Sequence, residues 1–302
     1  MALGKITSKG VLVTGSAGLI GTPLCAALRR AGMGVTGLDQ RVPADIVRTL
    51  APDDELTELV AGFDGIVHLA GMTRVKWGKE DPARCHIENA ALTERLTAAC
   101  AAAPNPPWLI YASSREVYGE PVTLPVIDDA PVVPINAYGR SKAAAEEAVA
   151  TAGREGLRTA ILRFSTVYGG VGDHADRLFP AFMQRALTGT ALTLNGSDTM
   201  LDPTWIDDVV EAILAVAVRL ADGAVPDGPI LLSGGTGACL ADIAQQILRA
   251  TNSRSAITEH APRDYDTHRF VGDPARARAW LGWRASTPLD EGVRRYAARL
   301  TQ

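Results

Sequence analysis

Tyr138 and Lys142 stand four residues apart in the run Tyr138-Gly-Arg-Ser-Lys142, which opens an alanine-rich stretch of helical character. On a helix that spacing puts two side chains on one face, one turn apart. A free phenol, with a pKa of about 10, is a poor base at neutral pH. A neighbouring ammonium favours the phenolate and lowers that pKa. The pair could then take a proton from a carbinol hydroxyl. A Y-x-x-x-K spacing arises often by accident, so it carries weight only if the same chain also holds a hydride acceptor.

Such an acceptor has a place near the chain start. Val11-Leu12-Val13 reads as a strand and runs into Thr14-Gly15-Ser16-Ala17-Gly18-Leu19-Ile20-Gly21, a G-x-x-G-x-x-G turn that opens a helix. One glycine makes the bend, one lets a pyrophosphate approach the backbone, and one lets helix and strand pack closely. The helix start meets the phosphates with free N–H groups and the positive end of its dipole. A glycine triplet alone is a weak signal. Between a strand and a helix it marks a dinucleotide site, with Gly15, Ala17, Gly18, Leu19, Ile20 and Gly21 as expected contacts. Asp39 closes the second strand, 18 residues beyond Gly21. A carboxylate there accepts from the adenosine ribose hydroxyls and repels a 2′-phosphate, favouring NAD over NADP. Arg41, close by, works against that preference. With NAD as acceptor, Tyr138 takes the hydroxyl proton while hydride leaves the same carbon. Lys142 also reaches the nicotinamide ribose. Ser113 and Ser114 end the preceding strand, where a hydroxyl can orient the substrate oxygen.

These residues need a sheet to hold them. Apolar runs at Val11–Val13, Val35–Leu38, Ile66–Leu69, Trp108–Tyr111 and Thr159–Phe164 alternate with helix-like segments near 18–31, 84–102 and 137–152. The alternation predicts an α/β fold with a doubly wound, Rossmann-like parallel sheet and ligands at the carboxyl ends of the strands. From about Ser165 the rhythm changes. Helices are expected near 176–188, 207–220, 240–250 and 289–300, with strands at Ala191–Leu194 and Ile230–Leu232. Residues 1–165 therefore read as an NAD-binding domain. Residues 166–302 read mainly as a smaller α/β substrate-binding lobe, interleaved with the last strands and helices of the first. Asp207-Asp208 reads as a helix cap, and Trp205, Trp280 and Trp283 as packing residues.

The bulk composition narrows the partners. A net charge of −4, from 30 basic and 34 acidic residues, gives no polyanion-binding surface and argues against nucleic acid. Cys25, Cys85, Cys100, Cys239 and the histidines lack metal-ligand spacing, so no metal is expected. Met1–Lys9 is short and polar, without a secretory signal, and no apolar run is long enough to cross a bilayer. The expected location is the cytoplasm, with no membrane partner.

Taken together, these blocks resemble the NAD-dependent epimerase/dehydratase family, the nucleotide-sugar branch of the extended short-chain dehydrogenases/reductases. His68-Leu69-Ala70-Gly71, Asn89-Ala-Ala-Leu-Thr93, Ser113-Ser114-Arg115-Glu116-Val117-Tyr118-Gly119, Arg163-Phe-Ser-Thr166-Val-Tyr168-Gly169 and Thr204-Trp-Ile-Asp207-Asp208 match successive family blocks, as does the tail Arg263…Asp266…Arg269…Asp273. The resemblance implies that Leu69, Ala70, Gly71, Asn89 and Ala112 join the cofactor site. It implies a nucleotide-sugar substrate met by Arg74, Ser113, Ser114, Arg115, Glu116, Thr166 and Arg263. It also implies retained NAD and a homodimer through the segments near 84–102 and 137–152. Two departures matter. Leu201-Asp202-Pro203 stands where the family often has Arg-Asp-Phe, so a phosphate-gripping arginine is missing and Arg263 remains. Thr166 stands where the family often has Asn.

The segment Ser114-Arg115-Glu116 bears most on the reaction. Family dehydratases often carry Thr-Asp-Glu here, and an arginine in the Asp place is no general acid near neutral pH. Tyr138, Lys142, Ser114 and Glu116 are the catalytic candidates. The leading expectation is a nucleotide-sugar epimerase working through a transient 4-keto sugar. The alternatives are a uronic acid decarboxylase or sugar dehydratase using Glu116, a sugar ketoreductase or dehydrogenase, and a silent dinucleotide-binding regulator. Arg115 or Arg74 could hold a substrate carboxylate through a bidentate pair. Tyr138→Phe separates enzyme from regulator. It should abolish turnover while cofactor binding persists, and an unchanged phenotype would point to the regulator.

Overall fold

The computed structural model describes residues 9–48, 50, 53–170 and 172–301. Met1–Ser8, part of the segment read as free of a secretory signal, lie outside the described residues. The strands, in chain order, are β1 (Val11–Thr14), β2 (Val35–Asp39), β3 (Ile46–Val47), β4 (Gly65–His68), β5 (Trp108–Ser114), β6 (Thr159–Phe164), β7 (Thr166–Tyr168), β8 (Leu192–Asn195), β9 (Met200–Leu201), β10 (Pro203–Trp205), β11 (Ile230–Leu232), β12 (Ala238–Cys239) and β13 (Ile257–His260). The helices are α1 (Gly21–Arg30), α2 (Asp53–Ala61), α3 (Val75–Glu80), α4 (Pro82–His86), α5 (Leu92–Ala102), α6 (Ala137–Arg154), α7 (Leu178–Leu187), α8 (Ile206–Ala221), α9 (Leu240–Ala250), α10 (Ala275–Leu281) and α11 (Leu289–Leu300).

Seven strands form one parallel sheet in the order β11-β6-β5-β4-β1-β2-β3. Alternate residues feed opposite cores. Val11, Val13, Val67, Ile110 and Leu162 pack with α1 and α8, while Leu12, Ile66, Leu109, Tyr111 and Ile161 pack with α2, α5 and α6. Burial on both faces explains why these strands read as unbroken apolar runs. The strand order reverses beside β1, whose neighbours are β2 and β4. A crevice opens there, at the carboxyl ends of the strands. Three small sheets belong to the later chain: β10 with β7, β12 with β9, and β13 with β8. β11 returns from that half to complete the large sheet beside β6.

The structure refines the expected elements. The segment near 84–102 is α4, a five-residue π-helical stretch Ile87–Ala91, then α5. Asp207 and Asp208 do not cap α8. Trp205 holds the N-cap position, and its side chain accepts no capping bond from the helix N–H groups. Asp207 instead accepts from Trp205 Nε1 at 3.0 Å and from Arg299 at 2.6 Å. Asp208 accepts from Ser286 Oγ and the Thr287 N–H at 2.9 and 3.1 Å, fastening the C-terminal segment. Trp205 and Trp283 are buried in the core as expected, with Trp280 packed against it. Among the described residues no helix is long and apolar enough to cross a membrane.

Gly65 shows how tightly this sheet is filled. A Cβ there would lie 1.9 Å from the buried Trp108 ring on the adjacent strand. Gly65→Ala should destabilise the protein by about 1–3 kcal/mol through overpacking, seen as a lower urea midpoint. An unchanged midpoint would mean that β4 and β5 slide apart without cost.

Candidate active site

The glycine turn makes a cradle at the β1 edge of the crevice. Gly15 has φ +72°, and a Cβ on it would stand 2.8 Å from Ala70 N. At Gly21 a Cβ would lie 2.2 Å from Gly15 O, so α1 can approach β1 only because this position is bare. Gly15 and Ser16 donate to Leu38 O, locking the turn to β2. Asp39, at the β2 end, accepts from Ala17 N–H at 3.0 Å and from the Arg41 backbone and Nε at 3.0 and 3.3 Å. Arg41 thus lies against Asp39 as an ion pair. The cradle, the Leu69–Gly71 turn and Ala112 line one cavity of about 1050 Å³ that extends to Arg263 and Asp266. Its volume is at the upper end for ligand sites, with room for a dinucleotide and a second ligand. The bare backbone and the strand-end carboxylate fit NAD.

The catalytic candidates meet at the carboxyl end of β5. Asn136 caps α6 by accepting from Gly139 N–H at 2.8 Å, which fixes the turn that bears Tyr138. Burial pushes the Tyr138 phenol up to about 12, and the Ser114 hydroxyl, donating to it, pulls the other way. Lys142, one turn along, donates to Ala112 O at 2.8 Å. Its ammonium lies 4.9 Å from the Tyr111 ring centroid and 5.9 Å from that of Tyr138. Burial pulls Lys142 down to about 8, opposed by Cys85 and Glu146. Ser114 first and the Arg177 charge second, rather than Lys142, are therefore the protein groups that favour the phenolate here. Glu146, one further turn along α6, takes Arg163 Nε at 2.9 Å and Nη2 at 2.6 Å in a buried bidentate pair. Ser113 donates to the same carboxylate. Its hydroxyl is thus engaged within the protein, while the Ser114 hydroxyl faces the Tyr138 phenol.

At the substrate end Glu116 is buried. Its Oε1 faces Arg115 Nη2 at 3.1 Å, and its Oε2 accepts from Asn136 Nδ2 at 2.8 Å and Thr267 Oγ1 at 3.3 Å. Arg115 lies over the Phe270 ring. Arg74 pairs with Asp176 and stacks on Trp77, whose ring meets His174 edge-on at 4.9 Å. Lys79 pairs with Asp264 at 2.9 Å and lies over Tyr265. Arg74 and α3 so form a strap to two segments of the later half. Arg263, half-exposed, stands 3.8 Å from Asp266. Thr166 lines the cavity between the two ends.

Most residues expected from the sequence gather on this cavity. Asn89 lies behind it, wholly buried in the π-helical stretch, and donates to Ser141 Oγ at 2.9 Å beneath α6. His68 is a packing residue. It bridges Thr14 and Thr93, and burial holds it down to about 3. The sequence reading missed Asn136, Thr267, Trp77 and His174. Asn before a helix is a readable cap signal, but Trp77 lies on the six-residue α3, too short to show a period, and Thr267 and His174 sit in irregular segments.

The buried ammonium makes a pH prediction. A lysine pulled down in the folded state is a destabilising charge at full strength below about 8, relieved as pH rises toward 10.5. Lys142→Met should be inactive yet more resistant to urea at pH 7, by at most about 3 kcal/mol. That advantage should shrink between pH 8 and 10.5. Equal resistance at every pH would mean that the ammonium is well solvated.

Known proteins share this architecture. The model of the NAD dependent epimerase/dehydratase family matches residues 11–228. UDP-glucuronate 4-epimerase 3 of Arabidopsis thaliana is 29% identical over 327 residues, covering 95% of this chain and 75% of that protein. UDP-glucose 4-epimerase of Mycolicibacterium smegmatis is 31% identical over 310 residues, covering 93% and 95%. The solved structure of MoeE5 in complex with UDP-glucuronic acid and NAD superposes with a TM-score of 0.86 at 26% identity, covering 97% of this chain and 100% of that one. A family match across most of the chain makes this protein a member of the NAD dependent epimerase/dehydratase family.

Proposed function

We propose that the protein is an NAD-dependent nucleotide-sugar 4-epimerase. The observation that carries this reading is the Tyr138–Ser114 hydroxyl pair beside Lys142, where the cofactor cradle meets the wider substrate end of one cavity. The bound state of Glu116 supports it, since a carboxylate facing three donors is poorly placed to take a C5 proton as a dehydratase or decarboxylase would require. The relatives named as UDP-glucose and UDP-glucuronate 4-epimerases support the substrate class.

Gly15, Gly18 and Gly21 would receive the pyrophosphate, Asp39 the adenosine ribose and Lys142 the nicotinamide ribose. When bound, NAD supplies the acceptor and later the donor of the C4 hydride. Tyr138 takes the proton of the C4 hydroxyl as the 4-ketone forms, and Ser114 holds that oxygen. After the ketone presents its other face, Tyr138 returns the proton and the C4 configuration is inverted. Arg263, only loosely paired, would meet the diphosphate, since Leu201 stands where an arginine is missing. Residues 1–165 would bind the cofactor and residues 166–302 mainly the substrate, with the protein working as a homodimer through α4, α5 and α6.

Mass spectrometry on UDP-, dTDP- and GDP-sugars, uronic acids included, tests this with purified protein and no added cofactor. The expected product has unchanged mass and altered C4 stereochemistry. Loss of water or carbon dioxide would replace the epimerase by a lyase. An untouched panel would shift the search to free sugars.

A further inference from the structure

Glu116 has the residue type of a catalytic base, but its surroundings suit another task. Asn136 must present Oδ1 to the Gly139 N–H, which can only donate, so its Nδ2 is the atom facing Glu116 Oε2. That amide also lies 3.3 Å from Tyr265 O. Thr267 Oγ1 stands 3.3 Å from both Glu116 Oε2 and Gly119 O. Arg115 holds the other carboxylate oxygen. Oε2 thus faces the Asn136 donor, and a proton there would set donor against donor, while Oε1 lies in the charge of Arg115. The Glu116 backbone is equally committed. Its N–H donates to Ser114 Oγ at 3.2 Å, and a Cβ on Gly139 would lie 2.4 Å from its carbonyl oxygen.

Three parts of the site therefore converge on one side chain: the β5 end with Ser114, the α6 cap that sets Tyr138, and the tail 265–267 on the substrate side. Resting on the epimerase reading above, we infer that Glu116 is a positioning residue that couples the substrate-side tail to the cap of the catalytic helix and moves no proton. Seating of a nucleotide sugar against Arg263 and Asp266 is felt at Tyr138 through Thr267, Glu116 and Asn136. Arg115 balances the Glu116 charge rather than gripping substrate.

A double-variant cycle on the full-length protein tests this, with C4 epimerisation of UDP-glucose and UDP-glucuronate as the activity. Glu116→Ala and Asn136→Ala should each lower kcat by roughly tenfold to a hundredfold through misplacement of Tyr138. The double variant should match the worse single variant, because both break one linkage. Glu116→Gln should recover part of the loss, since its amide oxygen still accepts from Asn136 while its NH2, at the Oε1 place, pushes the Arg115 guanidinium aside. Its ascending limb in the kcat–pH profile should move to lower pH, because a negative charge near the phenol is gone. A Gln variant as slow as Ala, or single losses that multiply in the double variant, overturns the inference and restores Glu116 as a proton carrier. The same cycle read in urea midpoints should show coupling between Glu116 and Asn136, and independent effects there also overturn it. If the unaltered protein epimerises no sugar of the panel above, the epimerase reading fails instead, and the urea cycle still decides the coupling.

Discussion

The buried bidentate pair between Arg163 and Glu146 is the constraint on which the site depends. Glu146 lies on the face of α6 that carries Tyr138 and Lys142, each one helical turn from the next. Arg163 belongs to β6, its third donor reaches Asp128 O, and its guanidinium lies over the Tyr118 ring. One ion pair thus pins the catalytic helix to the sheet and to the loop beyond β5. Replacing such a pair by apolar residues can be harmless, but removing one partner strands a buried charge at a cost of about 3–5 kcal/mol. The pair's value here is geometric, because it sets where α6 lies over β5 and so where the phenol stands relative to the cradle.

Burial then works against the chemistry that it organises. The enclosure that excludes water raises the phenol and lowers the ammonium, so both groups drift toward their neutral forms. Ser114 offsets part of this for Tyr138, and Cys85 and Glu146 offset part for Lys142. The cationic ring of NAD adds a further charge of the right sign when bound. A site tuned in this way has an unreactive phenol in the protein alone and a basic one in the complex, which keeps the acid–base group coupled to the presence of its hydride acceptor.

Much of this was legible in the sequence because helical spacing and strand alternation are local. Tyr138…Lys142 needed only a period of one turn, and the glycine turn only its place between β1 and α1. What stayed hidden depended on contacts far along the chain. Glu116 was visible as a carboxylate, but its donors lie at 136 and 267. Ser113 read as a substrate contact until its hydroxyl was seen to face Glu146. Asp207-Asp208 looked like a cap because acidic residues open the helix, yet their partners are Arg299, Ser286 and Thr287. β3, β9 and β12 were missed because two residues carry no period.

The strap of Arg74 and α3 joins the two halves across the cavity through Arg74–Asp176 and Lys79–Asp264, whose acidic partners are largely exposed. Ion pairs open to solvent weaken as salt is added, with a screening distance of about 8 Å at physiological ionic strength. Ions in the medium can therefore loosen this fastening, at Lys79–Asp264 more than at Arg74–Asp176, whose guanidinium is largely buried. In an epimerase such loosening would shorten the time that an oxidised sugar is held before it is reduced again.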